Sequence, residues 1–364
     1  MSPDDRSRPT PSGSRPPDPS APEPPDLAAK VRFLRDGASY GTPGSPVEAI
    51  ETHMAWVFLV GAHAYKMKKP VLREMLDYRT LEDRLRVCSD EVRLNRRLAP
   101  HIYLRIIPLT WLPQAGFSVG GEGDIVDWLV HMRRLPRERM LDQAATRGRV
   151  RGEEVDGAAR LLAEFYRSAP FVPVSRDEQR DRFRKGIDGA ARELAIPVFA
   201  LPALLVTEVA RALAEFLGGP SGGLLDERAE ARKIVEAHGD LRPEHIFLGP
   251  GPAVIDCLEF DRELRLLDPV DELSFLEVEC SLLGQPWIGD RFRRIYAEVT
   301  GDRPPEALLR FYEAYRAFLR AKIAIWHLAD DEIQDHARWR ARAVQYLELG
   351  RNRLAEPAPL GGPA

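Results

Sequence analysis

The stretch His238-Gly239-Asp240-Leu241-Arg242-Pro243-Glu244-His245-Ile246-Phe247-Leu248, followed by Ala253-Val254-Ile255-Asp256, restricts this chain more than any other part of it. Asp240 belongs to a tight turn, and Asp256 stands sixteen positions later inside what reads as an apolar strand. The turn residues Gly249-Pro250-Gly251-Pro252 between them close a hairpin. An aspartate in Val-Ile-Asp-Cys-Leu places a charge in a strand that should be buried, which is costly unless the charge is paired or bound to a metal. Two carboxylates on such a turn and hairpin suit phosphoryl transfer: the first accepts a proton from an attacking hydroxyl, and the second holds magnesium against nucleotide phosphates.

Composition excludes several alternatives. The 364 residues are 44% hydrophobic and 30% charged, enough for one large core or two lobes. A net charge of −4 provides no basic field for nucleic acid or for an anionic membrane surface. Cys88, Cys257 and Cys280 are odd in number and lack Cys-x-x-Cys spacing, so neither a disulfide framework nor a zinc site is expected. No apolar run is long enough to cross a bilayer and no hydrophobic leader follows the first charges, so a cytoplasmic protein is expected.

Residues 1–26 are rich in Pro, Ser, Asp and Arg and have almost nothing to bury, so they read as a disordered tail, as do residues 356–364. Trp56–Val60 and Ala64–Val71 read as strands around a Gly61-Ala62-His63 turn, with Lys66 and Lys68 alternating onto one face. Thr80 and Asp83 open a helix with the stripe Leu81, Leu85, Cys88 and Val92. Strands follow at 103–112, 116–119 and 125–132. Beyond Pro136 the pattern is helical, with segments near 152–168, 177–195, 202–217, 224–236, 287–299, 304–328 and 331–353 interrupted by the 244–260 hairpin. The run Phe311, Tyr312, Tyr315, Phe318 and Trp326 reads as core. The class is α+β, with residues 27–135 forming a small antiparallel sheet lobe and residues 136–355 a larger helical lobe.

Taken together, His-Gly-Asp-Leu, the Ile-Asp hairpin and Leu267-Asp268-Pro269-Val270-Asp271-Glu272-Leu273 resemble the aminoglycoside phosphotransferase and choline kinase-like group of protein-kinase-like folds. Tyr65-Lys66-Met67-Lys68-Lys69-Pro70 and Leu94-Asn95-Arg96-Arg97-Leu98-Ala99-Pro100 match blocks of its uncharacterised bacterial members, so the resemblance runs from about residue 45 to about residue 280. It implies a bilobal fold that uses ATP and Mg2+ to phosphorylate a hydroxyl of a small molecule. Asp240 would be the catalytic base, His238 would hold its turn, and Asp256 would bind the metal. Lys66 or Lys68 would meet the phosphates with Glu91 as partner, and Thr52 and His53 would lie in the phosphate-covering loop. Met132 and Leu135 would bound the adenine at the hinge, while Asp268 and Asp271 would support the site.

His245 departs from the group, which places Asn at this position. Imidazole is a poorer magnesium ligand than an amide oxygen. Either Glu244, Glu259 or a water completes the site, or His245 takes a softer metal, or the chain is a non-catalytic nucleotide-binding pseudokinase. No Gly-x-x-x-x-Gly-Lys-Ser/Thr or Asp-Phe-Gly segment is present, and no Ala-Pro-Glu follows the Asp240 turn, since Ala21-Pro22-Glu23 precedes it; this argues against a P-loop enzyme and against a protein kinase.

Overall fold

The computed structural model describes residues 25–73, 76–328 and 335–355; of the tail expected over residues 1–26, residues 1–24 lie outside them, as does that over 356–364. Helix α1 (Leu27–Leu34) starts where Asp26 accepts the Ala29 N–H at 2.7 Å. Strands β1 (Val47–Glu51), β2 (Ala55–Val60) and β3 (His63–Lys68) follow, then the short pair β4 (Leu72–Arg73) and β5 (Leu76–Asp77). After α2 (Leu81–Asn95) come β6 (Tyr103–Leu112), β7 (Gly116–Val119) and β8 (Asp124–Arg133). The six long strands form one antiparallel sheet in the order β1-β2-β3-β8-β6-β7.

Alternation along these strands gives the sheet two apolar faces. Phe58, Tyr65, Met67, Leu109 and Leu129 pack with Leu34 of α1 on one side, while Val130 and Tyr103 pack with Cys88 and Val92 of α2 on the other. Thr80 caps α2 by accepting the Asp83 N–H at 3.0 Å, as the sequence indicates. The buried face of α2 is displaced from the expected stripe. Leu81 and Leu85 are half-buried, whereas Arg84, Glu91 and Asn95 are buried, because this face meets charged and polar partners as well as apolar ones.

One of those partners is Asp127 of β8, which has no exposed side-chain surface. It accepts Lys30 Nζ of α1 at 2.9 Å and Arg84 Nε of α2 at 2.8 Å, while Lys30 also donates to the Val126 carbonyl at 2.7 Å. The two helices on opposite faces of the sheet are thus fastened to a single carboxylate.

The second lobe contains α3 (Leu141–Thr146), α4 (Gly152–Ser168), α5 (Arg176–Leu194), α6 (Ala203–Gly218) and α7 (Gly223–Glu230). Four two-residue strands follow: β9 (Val235–Glu236), β10 (Ile246–Phe247), β11 (Ala253–Val254) and β12 (Leu266–Leu267). Helices α8 (Pro269–Leu282), α9 (Pro286–Thr300), α10 (Glu306–Trp326) and α11 (His336–Ala355) complete it. β10 pairs with β11, and β12 with β9, both antiparallel. No described helix is long and apolar enough to cross a membrane.

The helix expected over 224–236 stops at Glu230, because Arg232 adopts φ +56 and Val235–Glu236 joins β12 instead. The last helix starts at His336, and residues 331–334 of the expected segment lie outside the described residues. Helix α8 has no counterpart in the sequence reading. It is buried on every side, so it shows no polar face from which a helical period could be read. Its acids are matched individually: Asp271 with Arg316 at 2.6 Å, Glu277 with Arg293 at 2.9 Å and Glu279 with Arg320 at 2.7 Å. Phe311, Tyr312, Tyr315 and Phe318 are core, but Trp326 at the end of α10 is half-exposed and donates its indole N–H to Glu193.

Asp127→Ala would leave Lys30 and Arg84 as buried cations without their shared carboxylate. It is expected to destabilise the sheet lobe by about 3–5 kcal/mol, measured as a lowered urea midpoint, with Asp127→Asn falling between the variant and the wild type.

Candidate active site

The β3 lysines point away from the α1 side of the sheet, as alternation with Tyr65 and Met67 requires, and face α2. Glu91, with no exposed side-chain surface, divides its carboxylate between them: Oε1 lies 2.9 Å from Lys66 Nζ and Oε2 lies 2.7 Å from Lys68 Nζ. Lys66 Nζ continues to Asp256 Oδ1 at 2.9 Å and Lys68 Nζ to Glu259 Oε1 at 2.5 Å. Both expected lysines therefore meet Glu91, and they differ in their second partner. Burial favours neutral lysine, but Asp256 and Glu91 outweigh it at Lys66 and hold that ammonium well above its ordinary pKa. Burial opposes the charge on Glu91 too, yet Lys66 and Lys68 hold its pKa below the usual glutamate value.

The turn carrying Asp240 is fixed from the second lobe. Glu272 of α8 accepts the backbone N–H of His238 at 3.0 Å and of Gly239 at 2.5 Å, and the Tyr166 hydroxyl at 2.5 Å. Gly239 has φ +90, and a Cβ there would meet Arg265 Cγ at 2.9 Å and Leu258 Cβ at 3.1 Å. The buried His238 ring lies 2.9 Å through Nε2 from the Ile255 carbonyl, and its Nδ1 accepts the Asp240 N–H at 3.3 Å. It thus spans the turn and the hairpin strand, as the resemblance implies. Asp240 itself is partly exposed and takes Arg242 Nε at 3.1 Å.

His245 is held from the same turn. Its Nδ1 donates to the Asp240 carbonyl at 2.8 Å, and its Nε2 accepts from Arg242 Nη2 at 3.3 Å. Arginine can only donate, so Nε2 carries the lone pair. That lone pair lies 3.6 Å from Asp256 Oδ2.

Asp256 does not sit within a strand. β11 ends at Val254, the Ile255 N–H donates to the His245 carbonyl at 2.9 Å, and Asp256 then takes φ +60. This left-handed turn is uncommon for a residue with a Cβ and is held by hydrogen bonds on both sides. The Asp256 N–H donates to the Tyr103 hydroxyl at 3.1 Å, and the Cys257 N–H to Asn95 Oδ1 at 2.8 Å. The turn leaves the Asp256 carboxylate about half-exposed towards Lys66 and His245, and Lys66 pulls its pKa well below the usual aspartate value.

The remaining expected residues scatter around this centre. Thr52 and His53 lie in the β1–β2 turn, where the Thr52 hydroxyl donates to the Ala55 carbonyl and accepts the Ala55 N–H, at 2.9 and 3.0 Å. That hydroxyl closes its own turn, so any phosphate contact from this loop falls to backbone N–H groups. Met132 and Leu135 pack into an apolar cluster with Phe247 and Ile255, between the end of β8 and the hairpin. Asp268 and Asp271 lie behind the turn, paired with Arg228 at 2.6 Å and Arg316 at 2.6 Å. Glu244 turns to Arg242 at 2.8 Å, away from the metal position considered for it.

Among the described residues no three His, Cys, Asp or Glu side chains gather into a ready metal cage. One half-exposed carboxylate beside a lone-pair nitrogen fits a divalent ion that arrives on phosphates and needs few protein ligands.

Sequence reasoning did not assign Arg242, Tyr103, Asn95 or Glu272. Asn95, Arg242 and Glu272 stood inside quoted blocks without a role, and nothing local marks a tyrosine or glutamate that acts by holding a backbone N–H elsewhere in the chain.

No protein-family model matches the chain. It is 35% identical over 315 residues to an uncharacterised protein of Mycobacterium tuberculosis (strain ATCC 25618 / H37Rv), covering 85% of this chain and 61% of that protein. The chain thus spans about three fifths of the length of that relative. It is 26% identical over 246 residues to an aminoglycoside 3'-phosphotransferase of Streptomyces fradiae, covering 60% of this chain and 86% of that enzyme. The solved structure of choline kinase from Cryptosporidium parvum Iowa II superposes with a TM-score of 0.53 at 10% identity, covering 90% of this chain and 95% of that one. The resemblance to the aminoglycoside phosphotransferase and choline kinase-like group is borne out, and so is the protein-kinase-like fold.

Because Glu91 and Asp256 have depressed pKa values in the folded chain, their contribution to stability is complete above the ordinary carboxylate range and is lost as pH falls below about 4. Thermal unfolding between pH 6 and pH 3 should show this acid loss in the wild type, with a shallower acid slope in Glu91→Gln.

Proposed function

We propose that this chain, which shares the fold of the aminoglycoside phosphotransferase and choline kinase-like group, transfers the γ-phosphate of ATP to a hydroxyl of a small molecule. One observation carries the reading. His245 stands between Asp240 and Asp256, its ring nitrogens 3.7 Å from Asp240 Oδ2 and 3.6 Å from Asp256 Oδ2, and Asp256 is paired with Lys66 at 2.9 Å. Asp240 would orient the acceptor hydroxyl and take its proton as the oxygen attacks the γ-phosphorus and ADP departs. Lys66, positioned by Glu91, would neutralise phosphate oxygens, with Lys68 reinforcing the field from behind. Met132, Leu135, Phe247 and Ile255 offer the apolar surface that a base would cover. Asp256 would hold Mg2+, which would screen the phosphate charge when bound, and His245 Nε2, 3.6 Å from Asp256 Oδ2, would support that position.

The rival reading is a nucleotide-binding pseudokinase. It draws on the Arg242 guanidinium resting on Asp240 at 3.1 Å and on a nitrogen where the group presents an amide oxygen. Turnover separates the two readings.

Asp240→Asn is expected to leave nucleotide affinity nearly intact and to lower turnover by about 10²–10⁴, whereas Asp256→Ala should weaken magnesium-nucleotide binding itself. Calorimetric titration with ATP and Mg2+, beside a coupled ADP-release assay, checks the division. Equal losses of affinity in both variants would refute it.

His245→Asn restores an oxygen donor and is expected to keep or raise magnesium-dependent turnover, while His245→Ala should lower it. Full activity in both variants would assign His245 to packing alone, and inactivity of the wild type with every acceptor tried, despite nucleotide binding, would favour the pseudokinase.

A further inference from the structure

A cavity of about 600 Å³ opens beside the catalytic turn and is lined by Arg242, Pro243 and Glu244 of that turn together with α8, α10 and α11. This volume suits a small metabolite. Arg242 connects it to the chemistry, because the guanidinium that lines the cavity is the one resting on Asp240 at 3.1 Å. A second cavity of about 650 Å³, between α5 and the segment 263–267, includes no residue of the catalytic turn.

The charges of the first cavity are unevenly matched. Arg242 already has Asp240 and Glu244. Arg320 and Arg342 share one carboxylate: Glu279 lies 2.7 Å from the first and 3.5 Å from the second. Arg338 has no carboxylate within ion-pair distance among the described residues, and its guanidinium lies over the Trp339 ring at 5.8 Å. The cavity therefore presents incompletely neutralised guanidinium groups, and Arg242 links it to Asp240. A polycationic sugar would meet Arg338 and Arg342 with like charge, which costs affinity. Guanidinium groups recognise carboxylate and phosphate oxygens.

We propose that the phosphate acceptor is an anionic polyol, a small hydroxylated compound bearing a carboxylate or a phosphate, with its anionic group on Arg338 and Arg342 and a hydroxyl reaching past Arg242 towards Asp240. This rests on the phosphotransferase reading and names the substrate class of that site.

The test is calorimetric titration of the full chain with D-gluconate, D-glucose 6-phosphate, D-glucose and kanamycin. It uses the wild type, the double charge reversal Arg338→Glu/Arg342→Glu, the milder Arg338→Gln/Arg342→Gln, and Arg211→Gln on the exposed face of α6. At least one of the two anions is expected to bind more tightly than glucose or kanamycin, and which one binds identifies the group as carboxylate or phosphate. The charge reversal should weaken that anion by roughly tenfold or more, the glutamine pair by less, and Arg211→Gln should leave it unchanged. Kanamycin binding more tightly than both anions, no anion binding better than glucose, or anion affinity kept in both arginine pairs would each overturn the proposal. A parallel titration with ATP and Mg2+ reports separately on the phosphotransferase reading: nucleotide binding with a cationic acceptor sinks only the acceptor class, whereas loss of nucleotide binding sinks both.

Discussion

Glu91 is the charge on which the candidate site depends. It is fully buried, and each of its oxygens faces one ammonium of β3. A lone carboxylate at this depth would be neutralised or expelled, and two adjacent lysines without it would repel each other across one face of a strand. Placed together, three charges become a rigid unit that fixes the distance between α2 and β3. Through Lys66 the unit reaches Asp256, and through Lys68 it reaches Glu259, so one helix, one strand and the segment after the hairpin are all aligned by one side chain. Lys66 is itself held between two carboxylates, so a phosphate bound there as proposed would replace one anionic partner with another.

What the sequence disclosed followed the physics of each signal. Strand alternation in Tyr65-Lys66-Met67-Lys68 is set by backbone geometry, and the two lysines do share a face. The Thr80–Asp83 cap and the 152–168 helix carry local signatures, and both stand where those signatures put them. Asp240, Asp256 and His245 meet because a turn and a short hairpin leave few ways to arrange them. Three features were hidden. Helix α8 is buried on all sides, and its acids read as surface charge in one dimension. Asp256 left the strand because its φ of +60 depends on Tyr103 and Asn95, which are remote in sequence. Thr52 looked available for phosphate, but a hydroxyl beside a tight turn finds its nearest partner in that turn.

The second lobe stabilises buried charge by pairing rather than by avoidance. Asp268 holds Arg228, which in turn binds Asp302, while Asp271 and Glu279 face arginines from α10. Breaking any one of these pairs leaves an uncompensated ion in a medium of low polarity, which is far costlier than never having buried the pair. Glu272 alone turns its carboxylate to backbone N–H groups and a tyrosine hydroxyl. The one acid of α8 that meets no arginine is thus the one that shapes the Asp240 turn.

The two aspartates are suspended from different halves of the molecule. The Asp240 turn hangs from α8 through Glu272, whereas the segment at Asp256 and Cys257 is tied to α2 and β6 by Asn95 and Tyr103. Because Ile255 is also bonded to His238 and His245 of the turn, the two segments form one piece, and a rocking of the sheet against the helices would reach it through Asn95 and Tyr103 as tethers.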